Sequence, residues 1–420
     1  MKRGFLNSAK ARKQALYPAP LPTAPSQGSA SVACPKQQLE LAGKPHHGKV
    51  ENRELPEDHT PSSLPMSDST MQSNGVYKDH VVKGLTFTTI ASDGGPAADN
   101  TELLLEAPTK QKIVSSPGFL KPVPKPSDPA SYAVRSTPDM GLGCFATRAI
   151  EAGEIIFAER PLLVVPRSCR LVNSSQIVAR YGIHQGNLIF MAEWEKVLEV
   201  VVARMTEENR TAFMALANNH KEDGSGPILG IVRTNAYSTD KFFDGPVRLA
   251  NDENMYSSIL KIGSRINHSC RPNVTYDFDL ASFSYIFKAE KDIAAGEQLF
   301  YSYCKINVPV SVRKSQLAPY GIVCKCLSCI NATPASDKIR MEFENRIDDT
   351  VKWIMNPRAN IHHALKLRQD LIDEGLEGQR TYACCLYAIS MMYKVMGEPI
   401  KRQIFQDEFN KYNRLAKLRD

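Results

Sequence analysis

The sequence has no apolar stretch of the roughly 18–20 residues that a helix needs to cross a membrane. Its longest apolar runs, such as residues 161–166, have the length of a strand. The basic start at Lys2 and Arg3 is not followed by the apolar core of a secretory signal. These absences exclude a membrane protein and argue against a secreted one. We therefore interpret the ten cysteines as those of a reducing compartment, where clusters bind metal or act in catalysis.

A strong excess of charge is also lacking. Lys and Arg total 52 against 45 Asp and Glu, which gives a net charge of +7 over 420 residues. Nucleic-acid-binding proteins usually concentrate positive charge on one face. Near the main cysteine cluster the sequence has only Arg313, Lys314 and Lys325. We therefore expect no direct nucleic-acid binding and no membrane partner.

Aromatic residues are scarce in the first third of the chain. Residues 1–128 hold 5 of the 33 aromatic residues but more than half of the 27 prolines. Such a composition offers too little apolar surface to offset the entropy of ordering. It predicts a disordered tail with one short strand near residues 86–90. The basic residues at its start suit a solvated terminus, a nuclear address or the front of a mitochondrial presequence, and both nucleus and cytoplasm stay open: Lys2, Arg3, Lys10, Arg12 and Lys13.

After residue 131 the pattern changes to short segments rich in strand-forming residues. Leu188, Met191 and Trp194 begin an apolar repeat at spacings of three and four, which predicts helices between about residues 172 and 222. Short strand-like segments then return up to residue 303, and from residue 337 onward only helical patterns remain. This order predicts a mostly-β domain with a helical insert, followed by helical hairpins.

Three of the cysteines crowd into six residues. Cys324, Cys326 and Cys329 form a C-x-C-x-x-C pattern, which places three thiolates within reach of one ion. A structural zinc site takes four ligands in a tetrahedron, so one ligand must come from elsewhere. The spacing leaves four candidates for it: Cys270, Cys304, His268 and Cys144.

Four motifs in a fixed order carry a family resemblance. The chain reads Gly141-Leu142-Gly143-Cys144-Phe145-Ala146, then Asn267-His268-Ser269-Cys270-Arg271-Pro272-Asn273, then Gly296-Glu297-Gln298-Leu299 before Tyr303, and last the C-x-C-x-x-C cluster. This order resembles the SET domain of protein lysine methyltransferases over roughly residues 130–330. It is most similar to the SET and MYND group, whose SET domain is also split by an insert.

The resemblance implies an α+β architecture, with a mostly-β SET fold that carries a helical insert and a pseudoknot. In that pseudoknot the segment ending at Tyr303 passes through a loop around residues 267–270. We expect a tail over 1–128, a SET domain over 129–303 with its insert at about 167–226, a zinc-binding post-SET segment over 304–333 and a helical domain over 334–420. The insert has the single cysteine Cys169, so it lacks the MYND zinc module.

The resemblance also implies the roles of particular residues. In the family the cysteine of Asn-His-Ser-Cys completes the structural zinc site, which here gives Cys270, Cys324, Cys326 and Cys329. Tyr303 matches the catalytic tyrosine. Tyr301 matches a position that affects how many methyl groups are added, and a tyrosine there implies mono- or dimethylation. Positions that match contacts to S-adenosylmethionine are Gly141, Leu142, Gly143, Cys144, Asn235, Asn267, His268, Tyr303 and Tyr320. Ile322 stands where the group often has a second aromatic residue.

The function implied is S-adenosylmethionine-dependent methylation of a protein lysine, in a histone or another protein. Such an enzyme must align the amine with the methyl group and exclude water, and it needs no metal at the reacting carbon. The alternative is a catalytically inactive SET fold that binds protein partners through its C-terminal helices. Intact Asn267, His268 and Tyr303 favour the enzyme, whereas the ring missing at Ile322 favours the alternative.

Overall fold

The structure, a computed structural model, describes residues 54–62, 64, 79–82, 84–91, 99–126, 131–167, 173–239, 242 and 255–416. The basic cluster within residues 2–13 and Cys169 lie outside these residues. The strands are β1 His80–Val82, β2 Leu85–Ile90, β3 Thr101–Glu106, β4 Tyr132–Ser136, β5 Leu142–Ala146, β6 Ile155–Glu159, β7 Leu163–Pro166, β8 Tyr237–Thr239, β9 Tyr256–Ile259, β10 Asn267–His268, β11 Val274–Asp279, β12 Ser284–Ala289 and β13 Phe300–Tyr301.

The helices are α1 Ala107–Val114, α2 Ser174–Ala203, α3 Glu207–Met214, α4 Pro227–Asn235, α5 Val310–Leu317, α6 Leu327–Ile330, α7 Pro334–Glu342, α8 Ile347–Ile354, α9 Pro357–Glu374, α10 Arg380–Met396 and α11 Pro399–Ala416. Short 3-10 turns lie at Gly263–Arg265, Ala318–Tyr320 and Phe343–Arg346. Strands therefore dominate up to residue 301, apart from the helical insert, and helices follow. This order confirms the fold class expected from the sequence.

The largest sheet has six strands in the order β1-β2-β3-β7-β9-β8. Strand β3 lies between β2 and β7 in this sheet and pairs in parallel with β7. Its residues Leu103, Leu104 and Leu105 are almost completely buried. A continuous apolar run is typical of a strand that is covered on both faces. A buried ion pair between Arg204 Nε and Glu102 Oε2, at 3.0 Å, joins this strand to the end of α2.

The tail predicted for residues 1–128 does not extend that far. The strand expected near residues 86–90 is present as β2, but β1, β3 and α1 also belong to the fold. Composition averaged over 128 residues conceals the short run Leu103–Leu105, which supplies enough apolar surface to bury. The folded part of the chain therefore begins well before the boundary expected from composition.

Three small sheets surround the predicted site. β4 pairs with β5, β12 lies between β11 and β6, and β10 pairs in parallel with β13. Strand β11 alternates buried and half-buried residues, as expected of a strand with one face on the core. The β10–β13 pairing joins Asn267 to Phe300 and His268 to Tyr301. It brings together the two segments that the expected pseudoknot connects.

The insert forms helices α2 and α3. The Asn173 side chain caps the start of α2, the Thr206 side chain caps α3, and α2 is interrupted at Gly182, whose φ is +76°. Trp194 and Leu198 on α2 pack with residues of the six-stranded sheet in a second hydrophobic core. The helical insert predicted from the apolar repeat is confirmed.

Helices α8 to α11 share a third core, which includes Leu371, Leu386 and Ile389. Gly375 and Gly397 end α9 and α10 with φ values of +68° and +75°. Glycine is the residue that adopts this left-handed conformation without steric cost. Helices α9 and α10 thus each end at a glycine, the residue type that most often follows the last turn of a helix. The limits of the separate domains stay predictions.

Candidate functional site

Strand β5 begins at a glycine turn in which Gly141 has a left-handed backbone and Gly143 is closely surrounded by side chains. Gly141 has a φ of +69°. A Cβ atom at Gly143 would lie 2.5 Å from Gln298 Nε2 and 3.1 Å from Asn267 Nδ2. Asn267 Nδ2 donates a hydrogen bond of 3.1 Å to the carbonyl of Leu142. The predicted residues Gly141, Leu142, Gly143 and Asn267 therefore meet at one place, and a side chain at position 143 would displace those of Gln298 and Asn267.

Gln298 belongs to this place too, although the sequence pattern does not single it out. Its Nε2 atom is buried and has no hydrogen-bond partner among the described residues. A buried amide donor without a partner costs free energy, so such groups commonly serve a ligand. The one signal in the sequence is its place inside Gly296-Glu297-Gln298-Leu299, a motif in which the resemblance implies no role for this position.

Tyr303 is fixed at both ends. Its backbone N–H donates to His268 Nδ1 at 2.9 Å, and its hydroxyl donates to the carbonyl of Ile266 at 2.6 Å. Because Nδ1 accepts a backbone N–H, a neutral His268 carries its proton on Nε2, which lies 3.4 Å from Cys270 Sγ. His268 thus connects the predicted catalytic tyrosine to the cysteine cluster.

Tyr301 belongs to a group of tyrosine rings that includes Tyr237 and Tyr276. Ring centroids are 5.1 Å apart for Tyr276 and Tyr301 and 4.9 Å apart for Tyr237 and Tyr276. The Tyr237 hydroxyl donates to the carbonyl of Gly263 at 2.6 Å. The buried Tyr276 hydroxyl has no partner that meets hydrogen-bond geometry among the described residues. Burial raises the pKa of Tyr276 well above its ordinary value, and the neighbouring Tyr301 raises it further.

Tyr320 lies against Tyr303 from the other side, with ring centroids 6.0 Å apart in an edge-to-face arrangement. Its carbonyl accepts a hydrogen bond of 2.9 Å from Asn219 Nδ2, which ties the end of the insert to this position. Asn235, by contrast, uses its side-chain amide within the protein. Its Nδ2 donates to Ala217 O at 2.7 Å and to Ile231 O at 2.8 Å. The contact expected between Asn235 and a cofactor would therefore involve its other atoms.

The four predicted metal ligands come together. The Sγ atoms of Cys270, Cys324, Cys326 and Cys329 all lie within 4.8 Å of one another, with Cys270 at 3.5 Å from Cys329 and 3.9 Å from Cys324. At a zinc–sulfur distance of about 2.3 Å, tetrahedral ligands are about 3.8 Å apart. The cysteines are free thiols. Their spacing and chemistry fit a tetrahedral metal site.

Among the other candidates for the fourth ligand, His268 and Cys304 form a second group with Cys270, also within 4.8 Å. Cys144 does not approach the cluster, because its thiol is buried and faces the carbonyl of Ile262 at 3.8 Å. Hydrogen bonds among the thiols of the cluster lower the pKa of Cys329, to about 7, and of Cys326, whereas the pKa values of Cys270 and Cys324 are raised. A thiol with a lowered pKa is readily deprotonated, as a metal ligand must be.

Glu159 holds the loop before β10 in place through hydrogen bonds to its backbone. Its carboxylate accepts backbone N–H groups from Lys261 at 3.0 Å, from Ile262 at 3.0 Å and from Gly263 at 2.6 Å. Burial raises the pKa of Glu159 to about 7, although these hydrogen bonds oppose the shift. The same loop continues to Ile266, whose carbonyl holds the Tyr303 hydroxyl. No motif or spacing in the sequence indicates this role for Glu159.

Two arginines lie buried at the cysteine cluster. Arg340 Nη2 donates to the carbonyl of Cys270 at 3.3 Å, and Arg313 Nη2 donates to the carbonyl of Ser328 at 3.0 Å. Burial lowers the pKa of Arg313, but the thiols of Cys270 and Cys329 raise it by more. In the sequence, Arg313 is only one of a few basic residues near the cysteines.

A separate surface hollow of about 320 Å³ lies on the insert, lined by residues that include Leu188, Glu195 and Ser225. None of the predicted site residues lines it. Glu195 there is occupied in accepting the backbone N–H groups of Ile228 at 2.9 Å and Leu229 at 2.7 Å. Among the described residues, no helix combines the length and apolarity needed to cross a bilayer.

Known proteins are similar in sequence to this chain. Residues 141–304 match the family described as SET domain. Histone-lysine N-methyltransferase set5 of Schizosaccharomyces pombe is 27% identical over 205 residues, which cover 49% of this chain and 52% of that protein. N-lysine methyltransferase SMYD2-B of Danio rerio is 26% identical over 148 residues, which cover 31% and 33%. SET domain and MYND-type zinc finger protein 6 of S. pombe is 44% identical over 128 residues, 26% of each chain.

Residues 141–304 therefore match a SET domain, and the similarity of the chain to the SET and MYND group is confirmed. It spans about half the length of the first of these relatives and less of the other two. Among solved structures, Chaetomium thermophilum Polycomb Repressive Complex 2 bound to GSK126 has 15% sequence identity, covering 69% of this chain and 35% of that chain with a TM-score of 0.19.

Proposed function

We propose that this SET-domain protein is an S-adenosylmethionine-dependent protein-lysine N-methyltransferase with a structural zinc ion at Cys270, Cys324, Cys326 and Cys329. The observation that carries the proposal is the position of Tyr303. It lies between Tyr320 and His268, its hydroxyl is fixed on Ile266, and the glycine turn at Gly143 adjoins Asn267. The names of the similar proteins support the same reaction class.

The cofactor fits the residues that converge at the glycine turn. A Cβ at Gly143 would collide with Gln298, and the buried Gln298 Nε2 has no partner among the residues described. We expect Gly141, Leu142, Gly143, Asn267, His268 and Tyr320 to hold S-adenosylmethionine, with lesser parts for Cys144 and Asn235. When bound, S-adenosylmethionine supplies a methyl group activated by a sulfonium centre.

Tyr303 orients the reacting groups. Because its proton is directed to the Ile266 carbonyl, its oxygen acts toward other groups as an acceptor through its lone pairs. An oxygen fixed in this way favours a transition state with positive charge near it, since no reorganisation is needed during the reaction. It also accepts weak C–H···O contacts from a polarised methyl group.

The tyrosine rings prepare the amine. A lysine side chain in water has a pKa of about 10.4 and carries a proton that blocks attack. Desolvation lowers this pKa, and the rings of Tyr237, Tyr276 and Tyr301 provide such an apolar setting. We expect Tyr301 and the hydroxyl of Tyr276 to restrict space beside the amine, and so to limit the product to mono- or dimethyllysine.

Titration calorimetry of S-adenosylmethionine against the zinc-loaded full chain tests the cofactor site. The full chain is needed because β1 to β3 complete the large sheet. We expect micromolar binding that Asn267→Ala abolishes and that Asn360→Ala, an exposed position on α9, leaves unchanged. No binding by a folded, zinc-replete protein would overturn the enzyme and favour a SET fold that only binds partners.

Transfer of a labelled methyl group to core histones and to arrays of lysine peptides then tests the reaction. The expected result is label on lysine with wild-type protein and none with Tyr303→Phe. Cofactor binding without label on any of these proteins or peptides, at protein and cofactor concentrations well above the dissociation constant, would contradict a lysine methyltransferase of broad substrate class. Histone and non-histone substrates are distinguished by which of the two sets is labelled.

A further inference from the structure

The two buried arginines at the cysteine cluster have different partners. Both side chains are fully buried. Arg340 Nε donates to Glu374 Oε2 at 2.6 Å, so its charge is met by a close carboxylate. Arg313 makes its two Nη hydrogen bonds to neutral carbonyls, those of Val308 at 2.7 Å and Ser328 at 3.0 Å.

The ion pair of Arg313 is longer. Its Nη1 is 3.7 Å from Asp337 Oδ1, and that oxygen also accepts the backbone N–H of Val310 at 2.8 Å. The Nε–H of Arg313 is buried and has no hydrogen-bond partner among the residues that the structure describes. Cys329 directly follows Ser328, whose carbonyl accepts the Arg313 Nη2 hydrogen bond, so the guanidinium lies next to the backbone of a proposed metal ligand. Among the described residues, the charge of Arg313 therefore has only a distant carboxylate, and its Nε–H donor has no acceptor.

The metal centre proposed above would need such a group. Four thiolates and one Zn²⁺ carry a net charge of −2, and Cys270 and Cys329 are both buried. A buried charge without a counter-charge is costly. The exposed Lys325 cannot supply it, because its ammonium group pairs with Asp139 at 2.9 Å on the surface.

We propose that Arg313 is a positioning residue of the zinc site, whose buried charge offsets the negative charge of the thiolates. The inference rests on the proposed zinc site. Two hydrogen bonds from Arg313 join the backbone at Val308 to the backbone at Ser328, within the cysteine segment, and place the positive charge beside the ligands. Outer residues that support metal ligands commonly raise the affinity for the metal.

A purely structural role is the competing explanation. In that case Arg313 would only anchor the carbonyls of Val308 and Ser328, and Asp337 would stabilise it there. The two explanations predict opposite changes in zinc affinity when the Asp337 carboxylate is removed. If Arg313 serves the thiolates, Asp337 competes for its charge, and removing the carboxylate strengthens zinc binding. If Arg313 is an anchor, removing Asp337 weakens the anchor and zinc binding with it.

Zinc affinity of the full chain, measured by competition with a chromogenic chelator, tests the inference without substrate or S-adenosylmethionine. Arg313→Gln keeps a donor for one carbonyl and removes the charge, and we expect a loss of affinity of about 10–100-fold. Arg313→Lys should lose less, because the charge remains. Lys314→Gln, the same charge change at the next, exposed position, should leave the affinity within about twofold of wild type.

Asp337→Asn keeps an oxygen for the Val310 N–H, and we expect it to raise zinc affinity a few-fold. An Arg313→Gln protein with wild-type affinity would overturn the inference, as would an Asp337→Asn protein that loses affinity. If Arg313→Gln does not fold, the direction in which Asp337→Asn changes zinc affinity still distinguishes the two explanations. A wild-type chain that binds no zinc would overturn both this inference and the zinc part of the proposed function, whereas S-adenosylmethionine binding tests the enzyme separately.

Discussion

The tyrosines and the cysteines of the candidate site lie on opposite sides of His268 and are held in different ways. The aromatic wall, formed by Tyr237, Tyr276, Tyr301 and Tyr303, is part of the main hydrophobic core. The first three rings pack on one another, whereas the ring of Tyr303 packs on His268 and Tyr320. The cysteine wall, formed by Cys270, Cys324, Cys326 and Cys329, has three of its four members on one short irregular segment.

The difference shows what each wall needs to stay in place. Apolar burial holds the aromatic wall, because each large ring removed from water contributes about 2–3 kcal/mol. Cys270 and Cys329 belong to the same core, but apolar neighbours on the cysteine segment, Val323, Leu327 and Ile330, are exposed and add little burial. A metal ion is the proposed additional link that holds this segment. His268 contacts both walls through its two ring nitrogens.

Loss of the metal is expected to have the largest effect on activity and to distinguish the two walls, because only the cysteine wall depends on the ion. Structural zinc sites contribute about 10–16 kcal/mol of apparent binding free energy, which is coupled to folding of the bound segment. We expect Cys329→Ser to abolish methyl transfer and to remove hydrogen-exchange protection from residues 320–333, while α9 and α10 stay protected. Cys384→Ser, a free cysteine on α10, is the matched control. A zinc-free protein with full activity would contradict the difference between the walls.

Tyr303→Phe should have the next largest effect, confined to the aromatic wall. Removal of one fixed polar group at a developing charge commonly costs about 10²–10³ in rate. We expect a loss of that size in the rate of methyl transfer at saturating S-adenosylmethionine, with zinc content unchanged. Tyr387→Phe, at an exposed tyrosine on α10, should retain the wild-type rate. Loss of zinc from Tyr303→Phe would show that the walls are not independent.

The support of the aromatic wall by Glu159 predicts a pH dependence. The folded-state pKa of Glu159 is raised to about 7, above its ordinary value of 4.5. The folded state therefore binds a proton between these values that the unfolded state does not, so the contribution of Glu159 to stability is fully present below pH 4.5 and is lost as pH rises through 7.

The free energy of unfolding of the wild type, measured against that of Glu159→Gln, should fall by about 1–3 kcal/mol between about pH 5 and pH 7.5. The substitution itself will destabilise the protein at every pH because one acceptor oxygen is lost, so only the change with pH is informative. Parallel pH curves for the two proteins would show that Glu159 does not titrate in this range.

The smallest expected effect concerns a single hydroxyl group in the aromatic wall. A buried polar group without a partner costs about 1–3 kcal/mol, so Tyr276→Phe should stabilise the fold by about 1 kcal/mol. Tyr285 gives the matched comparison, because its hydroxyl lies 2.5 Å from Thr239 Oγ1. Tyr285→Phe should destabilise the fold by about 1 kcal/mol. If chemical denaturation shows that both substitutions change the free energy of unfolding in the same direction, the difference between the two hydroxyls is refuted. Mass spectrometry of the products tests whether Tyr276→Phe permits further methylation.

The two walls were also unequally predictable. The spacing of Cys324, Cys326 and Cys329 indicated a metal site, since thiolates that share an ion must be close in a short segment. Cys270 required the family resemblance, because spacing by itself left Cys304, His268 and Cys144 equally open as the fourth ligand. The structure excludes Cys144 and places His268 and Cys304 beside Cys270.

Contacts between distant segments were not predictable from patterns. Glu159, Tyr276 and Arg313 have no local signature, since their roles depend on which backbone groups and rings the fold brings against them. Composition also concealed the strand Thr101–Glu106, whose apolar run is short and whose partner β7 lies far along the chain. Helices of the insert and the C-terminal region were predicted well because their apolar repeats are local.

The parallel pairing of β10 with β13 and the position of Cys270 also set the order of events during synthesis. Cys270 leaves the ribosome 54 residues before Cys324, and β10 meets its partner at Phe300 only after β11 and β12 have emerged. Non-local pairings of this kind form slowly, because loop closure precedes the contacts that reward it. The nascent chain therefore keeps β10 unpaired until residue 301 has emerged, and the Cys270 thiol without its three partners until residue 329 has emerged. If the proposed zinc ion binds there, zinc supply at that stage would set the yield of folded protein.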